Sequence, residues 1–384
     1  MNLARFIYVT WNREFPRGPR KGSLSYASPQ RGGSMTEVQW ERYPLVAGHS
    51  NARTWLTIQA NLGLACNTID AYGRALADYL AFSVRAGMQA DSASRAHIAA
   101  YVRDLSERPN PRRARTSFVN GARPSGLANA TLQQRLTAIR LYYDYLVEEG
   151  VRPDNPVGRG RYTPGKAFGG HRDRGLLPRY RMLPWIPNQE QWQAILSVAK
   201  GEPLRNRVML AMAYDAALRR EELCGLSTAD VDPSARLLHI RAEITKSRRA
   251  RVVPYSTATD ALFASYLDHR CSLSRARGPL FLSESPRNRG QPVSVWTWSK
   301  VVTRIADAAG VPRFTTHTLR HLRLTDLART GWDLHEIAQF AGHRSTQTTL
   351  LYIHLSGRDL AAKLEQGMAG IHAWRSATTA EVLA

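Results

Sequence analysis

The sequence predicts a mainly α-helical chain with one small antiparallel β-sheet, divided into two folded domains. Three observations lead there. Apolar residues recur at helical spacing on both sides of a Pro- and Gly-rich break, one pair of short β-type runs flanks a basic turn, and neither an internal repeat nor strand–helix alternation is visible. At 384 residues the chain also exceeds what one core usually organises.

Taken in order, residues 1–36 set Arg5, Arg13, Arg17, Arg20, Lys21 and Arg31 among Gly, Ser and Pro, a composition that reads as a mobile basic tail. A helical domain is expected over 37–155. Ile69, Tyr72, Leu76, Tyr79 and Leu80 share one helical face behind an N-cap at Asn67 or Thr68. Leu132, Leu136, Ile139, Tyr143 and Leu146 form a second stripe, capped by Asn129 and stopped at Gly150. A shorter helix is expected over 92–106. The connection from Arg108 to Arg123 holds Arg112, Arg113 and Arg115 among prolines and reads as a basic loop that contacts a polyanion.

Residues 156–187 lose all periodicity among Pro, Gly and Arg, as an interdomain linker does. The second domain is expected over 188–368, with a tail over 369–384. Its helices resume near Gln189. Leu237–Ile244 and Arg251–Tyr255 read as paired strands joined by a turn through Lys246 and Arg249.

Lys and Arg number 53 against 31 Asp and Glu, a formal charge of +22, so the partner is strongly polyanionic and nucleic acid leads. A membrane surface would require an amphipathic anchor, a lipidation signal or a long apolar segment, and none is found. Cys66, Cys224 and Cys271 stand apart, without the spacing of a disulfide framework or a zinc site. With no secretion signal, the expected location is cytoplasmic, with the nucleoid, in a bacterial or phage setting.

Four segments concentrate polar residues where an amphipathic pattern would not. Arg219, with Glu222 beside it, closes an apolar helix and can be aimed at a phosphate. Lys246 tips the basic turn with Arg248 and Arg249, as a group entering a DNA groove would. His317 and Arg320 share a helix face and join a proton carrier to a phosphate clamp. His317 and His321 as metal ligands is the rival reading, opposed by Arg320 and Arg323 and by the need for a third ligand. Finally, Gly342 ends one helix, His343 follows it, Ser345 or Thr346 caps the next, and Tyr352 lies about two turns along.

Singly these are weak signals, but the ordered set resembles the tyrosine recombinase (phage integrase) family. Ala217-Leu218-Arg219 with Glu222-Leu223 is similar to its first arginine box, and Lys246 with Arg251-Val252-Val253-Pro254 to its lysine hairpin. His317-Thr318-Leu319-Arg320-His321 and Ala341-Gly342-His343 with Tyr352 are similar to its second box. Ala217 departs from the family's usual Gly, Ala341 from a frequent Leu.

The resemblance implies a helical core-binding domain and a catalytic domain closing as a C-shaped clamp on double-stranded DNA carrying specific recombination sites. Four protomers would act on two such sites, with accessory or directionality proteins, for integration, excision or transposition of a mobile element. Tyr352 would attack a phosphodiester and form a 3′-phosphotyrosine. Arg219 and Arg320 would hold the non-bridging oxygens, Lys246 protonate the leaving 5′-oxygen, His317 accept the phenolic proton and His343 donate to the phosphate. Glu222 would orient an arginine, and His321 supports the site. No metal and no cofactor is expected. A type IB topoisomerase and a non-catalytic DNA-binding protein are the alternatives. Leu360, Leu364 and Met368 form a stripe that docks either in cis or on a neighbouring subunit.

Overall fold

The structure, a computed structural model, describes residues 37–109, 126–157, 177, 183–355 and 357–383. Arg112, Arg113 and Arg115, residues 1–36 and most of the 156–187 segment lie outside the described residues. Contacts divide the described residues into two units, one within 37–177 and the other within 183–383.

The first unit is helical throughout: α1 (Pro44–Gly48), α2 (Ser50–Asn61), α3 (Cys66–Arg85), α4 (Arg95–Glu107) and α5 (Asn129–Glu148). The two stripes are its core. Ile69, Leu76, Tyr79 and Leu80 of α3 meet Leu132, Leu136, Ile139, Tyr143 and Leu146 of α5, all buried. Each aliphatic side chain so buried contributes roughly 2 kcal/mol. Buried tyrosines need partners, and these have them: the Tyr79 and Tyr143 hydroxyls are 2.6 Å apart, and Tyr143 donates to Ala90 O at 2.5 Å. The helix starts differ from expectation. Ala65 and Ala128, rather than Asn67 or Thr68 and Asn129, occupy the N-cap positions, because the helical backbone begins one to three residues earlier than the polar side chains suggest.

The second unit contains α6 (Gln189–Ala199), α7 (Leu204–Asp215), α8 (Arg220–Cys224), β1 (Val231–Asp232), β2 (Leu237–Ile240), β3 (Arg251–Pro254), α9 (Thr257–Leu273), α10 (Val295–Ala308), α11 (Thr316–Arg329), α12 (Leu334–Ala341), α13 (Thr346–Leu355) and α14 (Gly357–Leu383). Helix α7 runs through its core, with Val208, Met209, Leu210, Met212 and Ala213 buried against α9 and α11. The sheet is antiparallel in the order β1-β2-β3, with Leu238 opposite Val253.

Two sequence expectations are corrected here. The sheet gains a third short strand, β1. Strand β2 ends at Ile240 instead of Ile244, because Ala242–Ile244 turns into a 3-10 segment. Residues 369–383, assigned to a tail beyond the catalytic domain, are helical as part of α14. Among the described residues no helix is long and apolar enough to cross a membrane.

Candidate active site

Two helix ends of the same design present the first site residues. At the end of α7, Leu218 N–H donates to Ala213 O and Ala217 N–H to Tyr214 O, both at 3.1 Å. At the end of α12, His343 N–H donates to Ala338 O at 2.9 Å and Gly342 N–H to Gln339 O at 3.0 Å. Each is a Schellman turn, whose penultimate residue must adopt the left-handed conformation. Gly342 does so at φ 62°, where glycine is unstrained, while Ala217 does so at φ 46°. The first turn delivers Arg219 two residues later. The second delivers His343.

Arg320 of α11 pins the two turns together. Its guanidinium, 4% exposed, donates to Ala217 O at 2.6 Å and to Ala341 O at 2.5 Å. Burial and the nearby Arg219 push its pKa down to about 9, which leaves it charged at neutral pH. Glu222, fully buried in α8, accepts from Arg219 N–H at 3.0 Å and from Arg219 Nη1 at 2.8 Å. Arg251 at the start of β3 donates to both Glu222 oxygens, at 3.2 and 2.7 Å, and to Phe340 O at 3.0 Å. Burial raises the Glu222 pKa, but Arg251 and Arg219 outweigh it and hold the carboxyl at about 2.

Tyr352 lies on α13 inside this frame, 3% exposed. Burial raises its pKa above the ordinary phenol value of 10.0, against the opposing pull of Arg320 and Arg219. Its hydroxyl is 2.9 Å from His321 Nδ1, and its ring lies nearly parallel to that of His343, 6.1 Å away. The sequence expectation placed His317 beside the phenol. The structure puts His321 there, while His317 is exposed one turn earlier, its ring 5.9 Å from that of His321. Four residues apart on α11, the two histidines share a face, and α13 packs the phenol against the second.

All three imidazoles are held below their ordinary pKa. Burial, His317 and Arg320 bring His321 to about 4. Burial and the three arginines bring His343 to about 3. Partial desolvation and Arg320 lower His317. All are neutral at pH 7.

Lys246 is not gathered in. It is exposed on the loop between β2 and β3, and no hydrogen bond or ion pair links it to the cluster; Arg248, at φ 51°, and Arg249 are exposed beside it. The loop is nonetheless tied to the His343 turn, because Arg344 donates to Ser247 O from Nε at 3.2 Å and from Nη2 at 3.0 Å.

Sequence reasoning gave no site role to three residues of this frame: Arg251, quoted only within the hairpin likeness, Arg344 and Thr349. The hydroxyl of Thr349, on a fully buried residue, is 2.9 Å from His343 Nδ1 and fixes that ring. A signal existed for Arg251, since period two in β3 places it on the same face as buried Val253 and opposite Val252, which is 51% exposed.

A guanidinium cluster beside a buried phenol and neutral imidazoles is suited to holding a phosphoryl group while the phenol oxygen attacks it. The model of the phage integrase family matches residues 187–358, and that of the phage integrase N-terminal SAM-like domain matches residues 55–150. Tyrosine recombinase XerC of Mycobacterium leprae is 32% identical over 251 residues, 62% of this chain and 77% of that relative. Tyrosine recombinase XerC of Corynebacterium efficiens is 26% identical over 277 residues, covering 70% and 81%. In fold, the chain is similar to the XerH site-specific recombinase solved with a palindromic difH substrate in a post-cleavage complex, with a TM-score of 0.61 and 17% identity over 95% of each chain.

Proposed function

The chain belongs to the phage integrase family of tyrosine recombinases, enzymes that cut and rejoin DNA through a tyrosine intermediate, and from this we propose that Tyr352 is that tyrosine. The observation that carries the assignment is the convergence on one phenol of His321, His343 and the arginine pair that opposes its raised pKa.

The substrate in this reading is double-stranded DNA bearing a specific site. Tyr352 Oη forms a bond to phosphorus as the P–O5′ bond breaks, leaving a 3′-phosphotyrosine and a free 5′-hydroxyl. Attack by a 5′-hydroxyl of the partner duplex reverses the step, so no external energy source is used. Arg219 and Arg320 face the non-bridging oxygens, and His343 donates to one of them. Lys246, free on its loop, protonates the departing O5′.

The phenolic proton goes to an imidazole. His321 is the one in contact, and His317 stands at the more exposed end of the same face, toward entering DNA. Burial and the nearby cations hold His321 well below the ordinary imidazole range while burial holds the Tyr352 phenol above its own, so in the unliganded chain the proton stays on the phenol and the nucleophile rests protonated. A bound phosphate offsets the cationic field that depresses the imidazoles and so makes them stronger bases.

Strand exchange between paired sites, by four protomers assisted by accessory proteins, would serve to integrate, excise or transpose a mobile element. The test is covalent capture. The chain is incubated with nicked duplexes of randomised sequence, adducts surviving detergent are sequenced, and the modified peptide is mapped. A 3′-phosphate adduct on Tyr352 and enrichment of one sequence are expected. An adduct elsewhere, or none, overturns the assignment, and adducts on every sequence would indicate sequence-independent relaxation.

A further inference from the structure

Arg251 is nearly as well buried as any cation in the site, yet it has no counter-ion of its own. Its side chain is 6% exposed, and the carboxylate it holds, Glu222, is shared with Arg219. Without Arg251, Arg219 and Glu222 would form a neutral pair, a poor binder of a phosphate. With it, the cluster of Arg219, Arg251 and Arg320 against Glu222 carries three guanidinium groups and one carboxylate, a surplus of two positive charges. A phosphodiester arrives with one negative charge and gains a second in the pentacoordinate transition state, so the surplus matches what must be stabilised.

Arg251 also reaches the turn that carries His343. It donates to Phe340 O, and a Cβ on Gly342 would lie 3.0 Å from Arg251 Nη1 and 3.2 Å from Cδ, so this turn closes directly over the guanidinium. The same side chain thus touches the anchor of Arg219 and the backbone ahead of His343. Its hydrogen bonds go to Phe340 and Glu222, and none of them goes to Tyr352.

We propose that Arg251 is a positioning residue for strand cleavage, neutralising Glu222 so that the charge of Arg219 stays available to the scissile phosphate. This rests on the assignment of Tyr352 as nucleophile. A residue that only stapled β3 to the α12 end would act through the Phe340 bond alone and would be indifferent to the charge on Glu222.

The duplex selected by covalent capture with the wild-type chain is the substrate for single-turnover cleavage by Arg251→Met and by the double variant Arg251→Met/Glu222→Gln. Methionine keeps most of the buried volume, and glutamine keeps an acceptor for Arg219 N–H. The single variant is expected to cleave about a hundredfold more slowly, the scale of losing one preorganised positive group. The double variant restores the surplus of two charges without restoring the Phe340 bond, and is expected to return to within about tenfold of wild type.

Recovery supports the charge role. A double variant that folds and stays a hundredfold or more below wild type overturns it, as does a single variant that cleaves at the wild-type rate. Should Arg251→Met alone fail to fold, the double variant still decides, since removing both members of a buried ion pair is often nearly neutral for stability. If the wild-type chain forms no adduct at all, the nucleophile assignment fails first and this inference falls with it.

Discussion

Replacing Ala217 and its neighbour Ala216 by glycine should have unequal consequences, although both alanines are completely buried. Ala216 has φ −94° and ψ 10°, which any residue tolerates, whereas Ala217 has φ 46°. In either position glycine forfeits one buried methyl, about 0.8 kcal/mol, and adds about 0.7 kcal/mol of backbone freedom to the unfolded chain. Ala216→Gly should therefore destabilise the second unit by about 1.5 kcal/mol. Ala217→Gly incurs the same losses but releases the left-handed strain, which for an L-residue is about 1–2 kcal/mol, so its net effect is near zero. At roughly 3 °C per kcal/mol for a unit of this size, Ala216→Gly should lower its Tm by about 4–5 °C and Ala217→Gly should change it by no more than about 1.5 °C. Scanning calorimetry of the two variants beside wild type reads the difference. Equal destabilisation would refute the reasoning, because it would mean that Ala217 is not strained and that the turn gripping Arg320 accepts alanine freely.

Acid should weaken the second unit through its imidazoles. His321 at about 4 and His343 at about 3 lie below the unfolded value of 6.5, so the unfolded chain binds protons first, and the stability present above about pH 6.5 is lost as pH falls toward those values. Urea midpoints measured from about pH 7 to 4.5 should fall, and His321→Phe should flatten part of the slope; an unchanged slope contradicts the assignment. Tyr352→Phe should retain DNA binding, lose about 1 kcal/mol with its hydrogen bond to His321, and form no adduct in the capture assay. Cleavage should persist in EDTA, since buried guanidinium groups supply the charge a divalent ion would otherwise bring; loss in EDTA with recovery on magnesium would count against that reading. Arg320→Lys should slow cleavage by about a hundredfold or more, because an ammonium cannot reach both Ala217 O and Ala341 O as a planar fork does.

What the sequence made legible was chemistry in order along the chain. The helical stripes of α3 and α5 fixed a core because a burial pattern is a one-dimensional property, readable from spacing alone. Gly342 announced its turn because left-handed backbone selects glycine. Ala217 performs the same service with the wrong residue, so only the likeness of its surroundings to an arginine box marked it. Which histidine meets the phenol could not be read, since His317 and His321 lie on one helical face and the choice is made by the packing of α13, a contact between segments about thirty residues apart. Strand β2 was overextended because Ala242–Ile244 carries apolar residues that a 3-10 turn uses equally well.

Arg320 explains why such a site is rigid where the attacking group's environment is set and loose where the leaving group is served. One planar guanidinium donates to the ends of two Schellman turns, so the positions of Arg219 and His343 are fixed relative to each other by backbone rather than by long side chains. Glu222 and Arg251 close the same frame from the side of the sheet. Beyond Ser247, which Arg344 holds, the Lys246 side chain has no such anchor. That division suits the chemistry. A phosphate must meet donors already in place, since reorganising charges during attack would raise the barrier, whereas the proton donor must follow an oxygen that moves away as its bond to phosphorus breaks. A fixed lysine would serve one endpoint of that motion and fail at the other.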